Sequence, residues 1–342
     1  MKIKRFEVAP VTFSLRHSFR THLGEKKITQ NVSVTLVSAN DAQGCGEASS
    51  SLAMPEATQE VMMRSLESLR PKLIGFSLEG WKEFCRSLAQ DGFHPTPLSA
   101  LECAFLDLDL RCRGKSLPSF FGPHGEPVAT LYTIPALPLP ESAAIAREMA
   151  RRGFKKFKVK VAGEDSPEDL ERAFQVFEIS GEPLVIDANQ GWSAERTLLW
   201  LEAARKRGIP LALIEQPLPK GDIAGLRFLK QRSPIPVAAD ESFRSLGDIR
   251  RLVEEDAADV FNLKLAKTGL LEALAISDYL EKAGKKRMIG CMMESAAGLA
   301  TSVAWAIGSQ SFAFVDLDSF LLLEPLDAPS PLRAENGKLY FE

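Results

Sequence analysis

Acidic and basic side chains recur at the ends of apolar, β-rich runs through the second half of this 342-residue chain. The runs KKFKVKV, PLVIDAN, LALIEQP, PIPVAADES, DVFNLKLAK and FAFVDLDSF carry in turn Lys158 with Lys160, Asp187, Glu215, Asp240, Lys264, and Asp316 with Asp318. Three carboxylates that converge repel one another unless a cation joins them, and an all-oxygen set suits Mg2+, which keeps its remaining positions for water or substrate. Asp187, Glu215 and Asp240 are the expected ligands, with Asn189 and Glu241 orienting them. Lys158 and Lys160 share one face of their strand because side chains alternate. Two ammonium groups crowded inside would depress each other's pKa and favour proton transfer. A metal flanked by lysines on both sides can hold a carboxylate while one lysine takes the α-proton and the other returns a proton to the opposite face. Lys160 and Lys264 are the expected pair. Lys267 competes with Lys264, which is preferred because a surface lysine would be out of place in the apolar run NLKLA.

These positions must be brought together by the elements that carry them. From Lys160 to Lys264 the charged strand ends follow one another at about 24 to 28 residues, close to one strand–loop–helix–loop unit. Amphipathic runs such as SPEDLERAFQVFEISG, SAERTLLWLEAARKRG and SLGDIRRLVEED fill the gaps. Ser166, Ser193 and Ser245 stand where N-caps belong, and Gly181 and Gly208 where C-caps belong. The pattern is α/β: a βα repeat beginning near Val128, closed as a parallel barrel, with the strand ends meeting at one face. The first third has another rhythm. Residues 1–50 read as three strands, the last two joined by a turn at Asp41-Ala42-Gln43-Gly44, and LSALECAFLDLDLRCRG reads as a helix stopped by Gly114.

Composition excludes several classes. A net charge of −3 gives no basic footprint for nucleic acid. No run approaches the roughly 20 apolar residues of a membrane span, and the N-terminus alternates instead of forming an apolar signal core. A cytoplasmic enzyme that assembles as a homo-oligomer is expected. The five cysteines are scattered, with neither disulfide nor metal-ligand spacing, and read as buried free thiols.

The pieces Lys158-Val159-Lys160, Asp187-Ala188-Asn189, Glu215-Gln216-Pro217, Asp240-Glu241-Ser242 and Asn262-Leu263-Lys264 together resemble the enolase superfamily, in its muconate lactonizing enzyme subgroup. The resemblance implies a (β/α)7β modified TIM barrel over residues 126–325. It also implies an α+β capping domain over 1–125 and a C-terminal segment, 326–342, that returns to the capping domain. It makes Asp187, Glu215 and Asp240 Mg2+ ligands, makes Lys160 and Lys264 the acid/base pair, and sets Lys158 beside the substrate carboxylate. Within the subgroup, Asp316-Leu317-Asp318 resembles the pair by which dipeptide epimerases hold a free amino terminus. Alternation would turn both aspartates inward from the last strand, where they need a cation. Met293, in Cys291-Met292-Met293-Glu294-Ser295, would line the same pocket. The capping domain would present a mobile loop near residues 16–28 and a second loop, Ser49–Met54. Gly24 falls where Ala-Glu epimerases carry an arginine, with Arg20 and His22 nearby. Its lack of charge directs the expectation to hydrophobic side chains, or cationic ones near Glu25, with Gly24 and His22 as substrate contacts. The alternatives are an N-acylamino-acid racemase or o-succinylbenzoate synthase, whose substrates lack the ammonium group, and a non-catalytic metal-binding relative. Gly44-Cys45-Gly46-Glu47 reads as a turn and not as a phosphate loop.

Overall fold

In the computed structural model of the chain, residues 1–163, 166–324 and 330–342 are described. The N-terminal region is an antiparallel sheet of β1 (Ile3–Thr21), β2 (Gly24–Ser38) and β3 (Gln43–Ala48), in that order. Where a mobile loop was expected, β1 and β2 run on as one hairpin to the turn at His22 and Leu23. The register shifts near the start, between Ile3 and Arg5, and again between Ser14 and Phe19, after which pairing resumes with Phe19 opposite Lys26 and Thr21 opposite Gly24.

The helix Pro95–Cys112 is buried over most of its first three turns, because it lies between this sheet and the rest of the molecule. Gly44 and Gly46 permit its approach: a Cβ on either would stand 2.2 Å from the Ala104 carbonyl oxygen or 2.0 Å from that of Ala100. The Gly-x-Gly pair is therefore a helix-packing device. The helix ends at Arg113, and Gly114 follows with φ 65°, as its stop signal implied. Ser193 and Ser245 cap their helices. Ser166 does not, because the next helix starts one residue later than that role requires and Pro167 takes the cap position. Gly181 closes that same helix in the left-handed conformation.

Eight parallel strands form the second sheet: β5 (Tyr132–Ile134), β6 (Phe157–Lys160), β7 (Leu184–Asp187), β8 (Leu211–Glu215), β9 (Val237–Ala239), β10 (Val260–Leu263), β11 (Lys286–Gly290) and β12 (Phe314–Asp316). They neighbour one another in chain order. The two edges meet where Leu131 N–H donates to the Val315 carbonyl at 2.8 Å and Leu317 N–H to Thr130 Oγ1 at 3.0 Å. The sheet is thus a barrel with helices outside it.

Its interior explains why charge follows apolar residues at a spacing of two. Leu131, Val185, Leu213, Ala238, Val260 and Met288 pack together as a plug inside the barrel. Two residues beyond them on the same inner face come Asp187, Glu215, Asp240, Asn262 and Gly290. The plug keeps water from below, and the next layer is left to chemistry.

The short strand β4 (Val128–Ala129) precedes the barrel and pairs with a C-terminal hairpin, β13 (Leu332–Glu335) and β14 (Lys338–Phe341). The C-terminal segment therefore adds to β4 and not to the N-terminal sheet. The return to that sheet comes earlier, where Leu323 bridges Leu15 and Glu324 N–H donates to the Ser14 carbonyl. The expected boundary at 325/326 lies outside the described residues. Among the described residues no helix is long and apolar enough to cross a membrane.

Candidate active site

The strand ends of the barrel and the tip of the N-terminal hairpin enclose a pocket. Lys158, Lys160, Asn189, Asp240, Glu241, Lys264, Met293, Asp316 and Asp318 all line it. Asp187 and Glu215 stand directly behind, fully buried. The register sets Lys160 opposite Asp187 and Asp187 opposite Glu215. All eight charged positions singled out in the sequence are gathered in or directly behind this pocket.

Each lysine meets carboxylates. Lys158 Nζ lies 2.9 Å from Asp187, 2.8 Å from Glu215 and 2.8 Å from Asp316. Lys160 Nζ lies 2.6 Å from Asp187 and donates to Asn189 Oδ1 at 3.0 Å. Lys264 Nζ lies 2.6 Å from Asp240. Lys267 is also buried, but it donates to Asp240 Oδ1 at 2.9 Å and to the carbonyls of Asp240 and Asn262, and it lies over the Phe243 ring. Its donors are spent and it does not line the pocket, whereas Lys264 does. That separation favours Lys264.

The expected depression does not hold for Lys158. Burial works against the Lys158 ammonium, but Asp187, Asp316 and Glu215 more than offset it and hold its pKa well above the ordinary lysine value. The same contest, with Asp240 as the main anion, raises Lys264. Contact with carboxylates outweighs repulsion between lysines because the anions are nearer.

Six carboxylates nevertheless share this space with four ammonium groups, and two acids show the deficit. Burial, then repulsion from neighbouring aspartates, pushes Glu215 and Glu241 up to about 7. Glu215 Oε2 and Glu241 Oε2 accept no hydrogen bond. Among the described residues no three acidic, thiol or imidazole groups are gathered closely enough to hold an ion as they stand. The ammoniums of Lys158, Lys160, Lys264 and Lys267 supply the counter-charge in this structure. Asp187, Glu215 and Asp240 form an all-oxygen donor set in which Glu215 Oε2 accepts no hydrogen bond and is met only by the Lys158 ammonium, a set that fits a hard divalent cation.

Surrounding groups fix these acids. Asn189 N–H donates to Asp187 at 2.9 Å and its Nδ2 to Glu241 at 3.2 Å. Asn262 Nδ2 donates to Glu215 Oε1 at 2.8 Å. Gln216 Oε1 accepts the N–H groups of Asp240 and Ser242. Asn189 and Gln216 have φ of 43° and 36°, strained for non-glycine residues and tolerated here in the ring of strand ends.

Asp316 closes β12, but Asp318 lies past the strand end, in helical conformation at the cap of the short helix Ser319–Leu322. Strand alternation is therefore not what aligns them. Thr133 N–H on the neighbouring strand donates to Asp318 Oδ2 at 2.5 Å and holds it in the pocket. Burial, then Asp316, pushes Asp318 up to about 7. Asp316 Oδ1 has no hydrogen-bond partner.

The hairpin tip departs from expectation. His22 is exposed and does not line the pocket; its ring packs against Gly191 and Gly163 on the barrel rim. Glu25 is exposed too, bonded to Ser18. Gly24 has φ 141° and faces the Leu52 methyls, so an L-residue there would be strained. Phe19, Thr21, Leu23 and Lys26 reach the pocket instead. Phe19 and Lys26 are cross-strand partners, so their side chains share a face. This register is the signal that would have found Lys26. Ser50, Ser51, Leu52 and Ala53 line the pocket, while Ser49 and Met54 are buried behind them. Ser49 Oγ and Asn31 Nδ2 both donate at 2.8 Å to the Met293 carbonyl, tying this loop to the β11 end. Cys85 and Cys103 are buried, but Cys45 is exposed and the remaining two are half-buried, so not all the thiols are interior.

Residues 141–342 match the family model described as Enolase C-terminal domain-like. The chain belongs to the enolase superfamily. It is 35% identical over 335 residues to a hydrophobic dipeptide epimerase of Citrifermentans bemidjiense, covering 95% of this chain and 90% of that one. With an L-Ala-D/L-Glu epimerase of Thermotoga maritima it shares 33% over 297 residues, 86% of each. A solved dipeptide epimerase from Methylococcus capsulatus, complexed with Mg and L-Arg-D-Lys, superposes with a TM-score of 0.90 at 30% identity, covering 100% of this chain and 98% of that one. This enolase-superfamily member is an isomerase, with the barrel and antiparallel cap that the motifs implied.

Proposed function

We propose that the chain is a Mg2+-dependent dipeptide epimerase that inverts the α-carbon of the C-terminal residue by 1,1-proton transfer. The observation that carries the reading is the placement of Lys160 and Lys264 on opposite strands of one pocket that also holds Asp316 and Asp318. Asp187, Glu215 and Asp240 would hold the metal. When bound, Mg2+ supplies positive charge against the negative charge that builds on the substrate carboxylate as the α-proton leaves. Lys160 and Lys264 take and return that proton from opposite faces. Asp316, with one oxygen unpartnered, and Asp318 receive the free ammonium group, about one peptide unit away. Lys158, which lines the pocket among Asp187, Glu215 and Asp316, would stand beside the substrate carboxylate.

Phe19, Leu23, Leu52 and Met292 give the pocket an apolar wall, which supports a side chain with an apolar body. A cationic side chain has no support: Glu25 points away and Lys26 faces inward. The test is incubation of a dipeptide library in D2O with Mg2+, reading deuterium uptake by mass. Incorporation into free dipeptides at the C-terminal α-carbon is the expected result. Preferential turnover of N-acetylated amino acids would replace this reading with the racemase one.

A further inference from the structure

Lys160 stands beside a carboxylate that does not by itself fix its position. Asp187 Oδ2 is shared, with Lys160 Nζ 2.6 Å away and Lys158 Nζ 2.9 Å away, and Asp187 also belongs to the donor set proposed for the metal. The contact particular to Lys160 is with an amide: its Nζ donates to Asn189 Oδ1 at 3.0 Å. Asn189 is buried and held on its other sides, since its Nδ2 donates to Glu241 at 3.2 Å and its backbone N–H to Asp187 Oδ1 at 2.9 Å. Its φ of 43° is left-handed, a conformation that asparagine tolerates better than most residues. From the cap, the Phe19 ring covers the same ammonium, its centre 5.8 Å from Lys160 Nζ.

The Lys264 side of the pocket is built differently. Among the described residues Lys264 Nζ donates only to Asp240, at 2.6 Å. Its stem lies against Gly290, where a Cβ would stand 3.0 Å from Lys264 Cε. One lysine is thus aligned by an amide and the other by the room that a glycine leaves. The difference matters because a lysine is a compact charge on a flexible four-carbon stem, and a misplacement of about 1 Å at a reacting centre can cost a hundredfold in rate.

We infer that Asn189 is a positioning residue for Lys160 alone, so that proton transfer on the Lys160 face depends on the Asn189 amide and proton transfer on the Lys264 face does not. This rests on the dipeptide-epimerase reading. It differs from the orienting of metal ligands expected of Asn189, because the group that reaches Asp187 is the backbone N–H, which a glycine at 189 would supply equally. Net epimerisation crosses both faces, so damage to either face lowers it alike in both directions. Exchange without inversion uses one face only, and there the two lysines are separable.

The experiment takes the dipeptide that gains most deuterium in the library test, in its L,L and L,D forms, and measures initial wash-in from D2O with Mg2+ by mass spectrometry of the separated stereoisomers. Lys160→Ala and Lys264→Ala identify which stereoisomer each lysine deprotonates. The test variant is Asn189→Gly, because glycine adopts the left-handed φ without strain. It should slow exchange of the Lys160 stereoisomer by about 10–100-fold, the worth of a hydrogen bond to a charged group. Exchange of the Lys264 stereoisomer should stay near the wild-type rate, which also shows that the variant is folded, and calorimetry should show wild-type Mg2+ affinity. Equal slowing of both stereoisomers, as for a residue that touches the substrate or only supports the barrel, overturns the inference. So does unchanged exchange of both, slowing of the Lys264 stereoisomer alone, or a loss of Mg2+ affinity. In each of those cases the wild type still exchanges the dipeptide. If the wild type exchanges no dipeptide at all, the proposed function fails, and this inference with it.

Discussion

Lys160 ends β6 and Lys264 directly follows β10, strands four places apart in a closed sheet of eight, so the two face each other across the pocket. Each is 2.6 Å from a different carboxylate, Lys160 from Asp187 and Lys264 from Asp240. Asp187 ends the intervening strand β7 and Asp240 directly follows β9, with Glu215 between them at the end of β8. The arrangement is nearly mirror-like: lysine, acid, acid, acid, lysine around half the barrel. A planar intermediate held there is open to one ammonium on each side.

Removing either lysine should therefore abolish net epimerisation without abolishing all proton exchange. Lys160→Ala and Lys264→Ala are each expected to lower epimerisation by about 10²–10⁴-fold, the usual worth of a positioned acid/base. Each variant should still wash deuterium into one stereoisomer, a different one in each case. Mass spectrometry of separated stereoisomers reads this directly. Wild-type epimerisation by either variant would sink the two-base assignment.

Asp187→Asn, Glu215→Gln and Asp240→Asn each remove one negative oxygen from the donor set and should weaken Mg2+ binding. Isothermal calorimetry on the substrate-free protein should show the loss independently of turnover. Activity should drop by about 10²–10³-fold if the ion supplies the main charge stabilisation. Undiminished affinity in all three variants would place the metal elsewhere.

The barrel face was legible because its period is simple. Charge at each strand end, two residues beyond an apolar plug residue, is visible in LVID, LALIE and VAAD without any structure. The hairpin tip was not. Whether Gly24, Glu25 or Lys26 faces the pocket depends on the β1–β2 register, and the irregularity between Ser14 and Phe19 breaks the alternation from which register could be counted. Asp318 was placed in the pocket for a mistaken reason, since β12 ends at Asp316 and the contact with Thr133 sets it there. The direction of the Lys158 pKa was missed because no sequence period reports which charge is nearest. For Lys158 three carboxylates within 2.9 Å decide the matter.

Glu102 gives a pH dependence separable from catalysis. It is buried in the helix Pro95–Cys112 and accepts the N–H groups of Leu270, at 2.5 Å, and Leu271, at 3.2 Å, at the start of the helix Leu270–Lys282. Burial outweighs those two donors and pushes it from the ordinary 4.5 up to about 7. A raised carboxyl pKa means that the native state holds the proton more tightly than the unfolded chain. Its contribution is therefore complete below about pH 4.5 and is lost as the pH rises through about 7. Relative to Glu102→Gln, the wild type should lose urea stability between pH 5 and pH 8, at up to about 1.4 kcal/mol per pH unit. A constant difference between the two proteins across that range would show that the carboxylate is ionised throughout.

Asp316 and Asp318 make the sharpest demand on the substrate. Asp316 shares Lys158 with Asp187 and Glu215, yet one of its oxygens has no partner, and burial together with its neighbour keeps Asp318 partly protonated near neutral pH. A bound ammonium group would satisfy the unpartnered oxygen and draw Asp318 to its anionic form. Truncating either residue to Ala should cost about 2–5 kcal/mol in kcat/KM, as for one side of a desolvated charge pair. N-acetylating the dipeptide should cost the wild type a similar amount. The decisive comparison is the double one: in Asp318→Ala the acetylated and free dipeptides should differ far less than in the wild type. If acetylation were equally costly in both proteins, the ammonium would bind somewhere other than this pair.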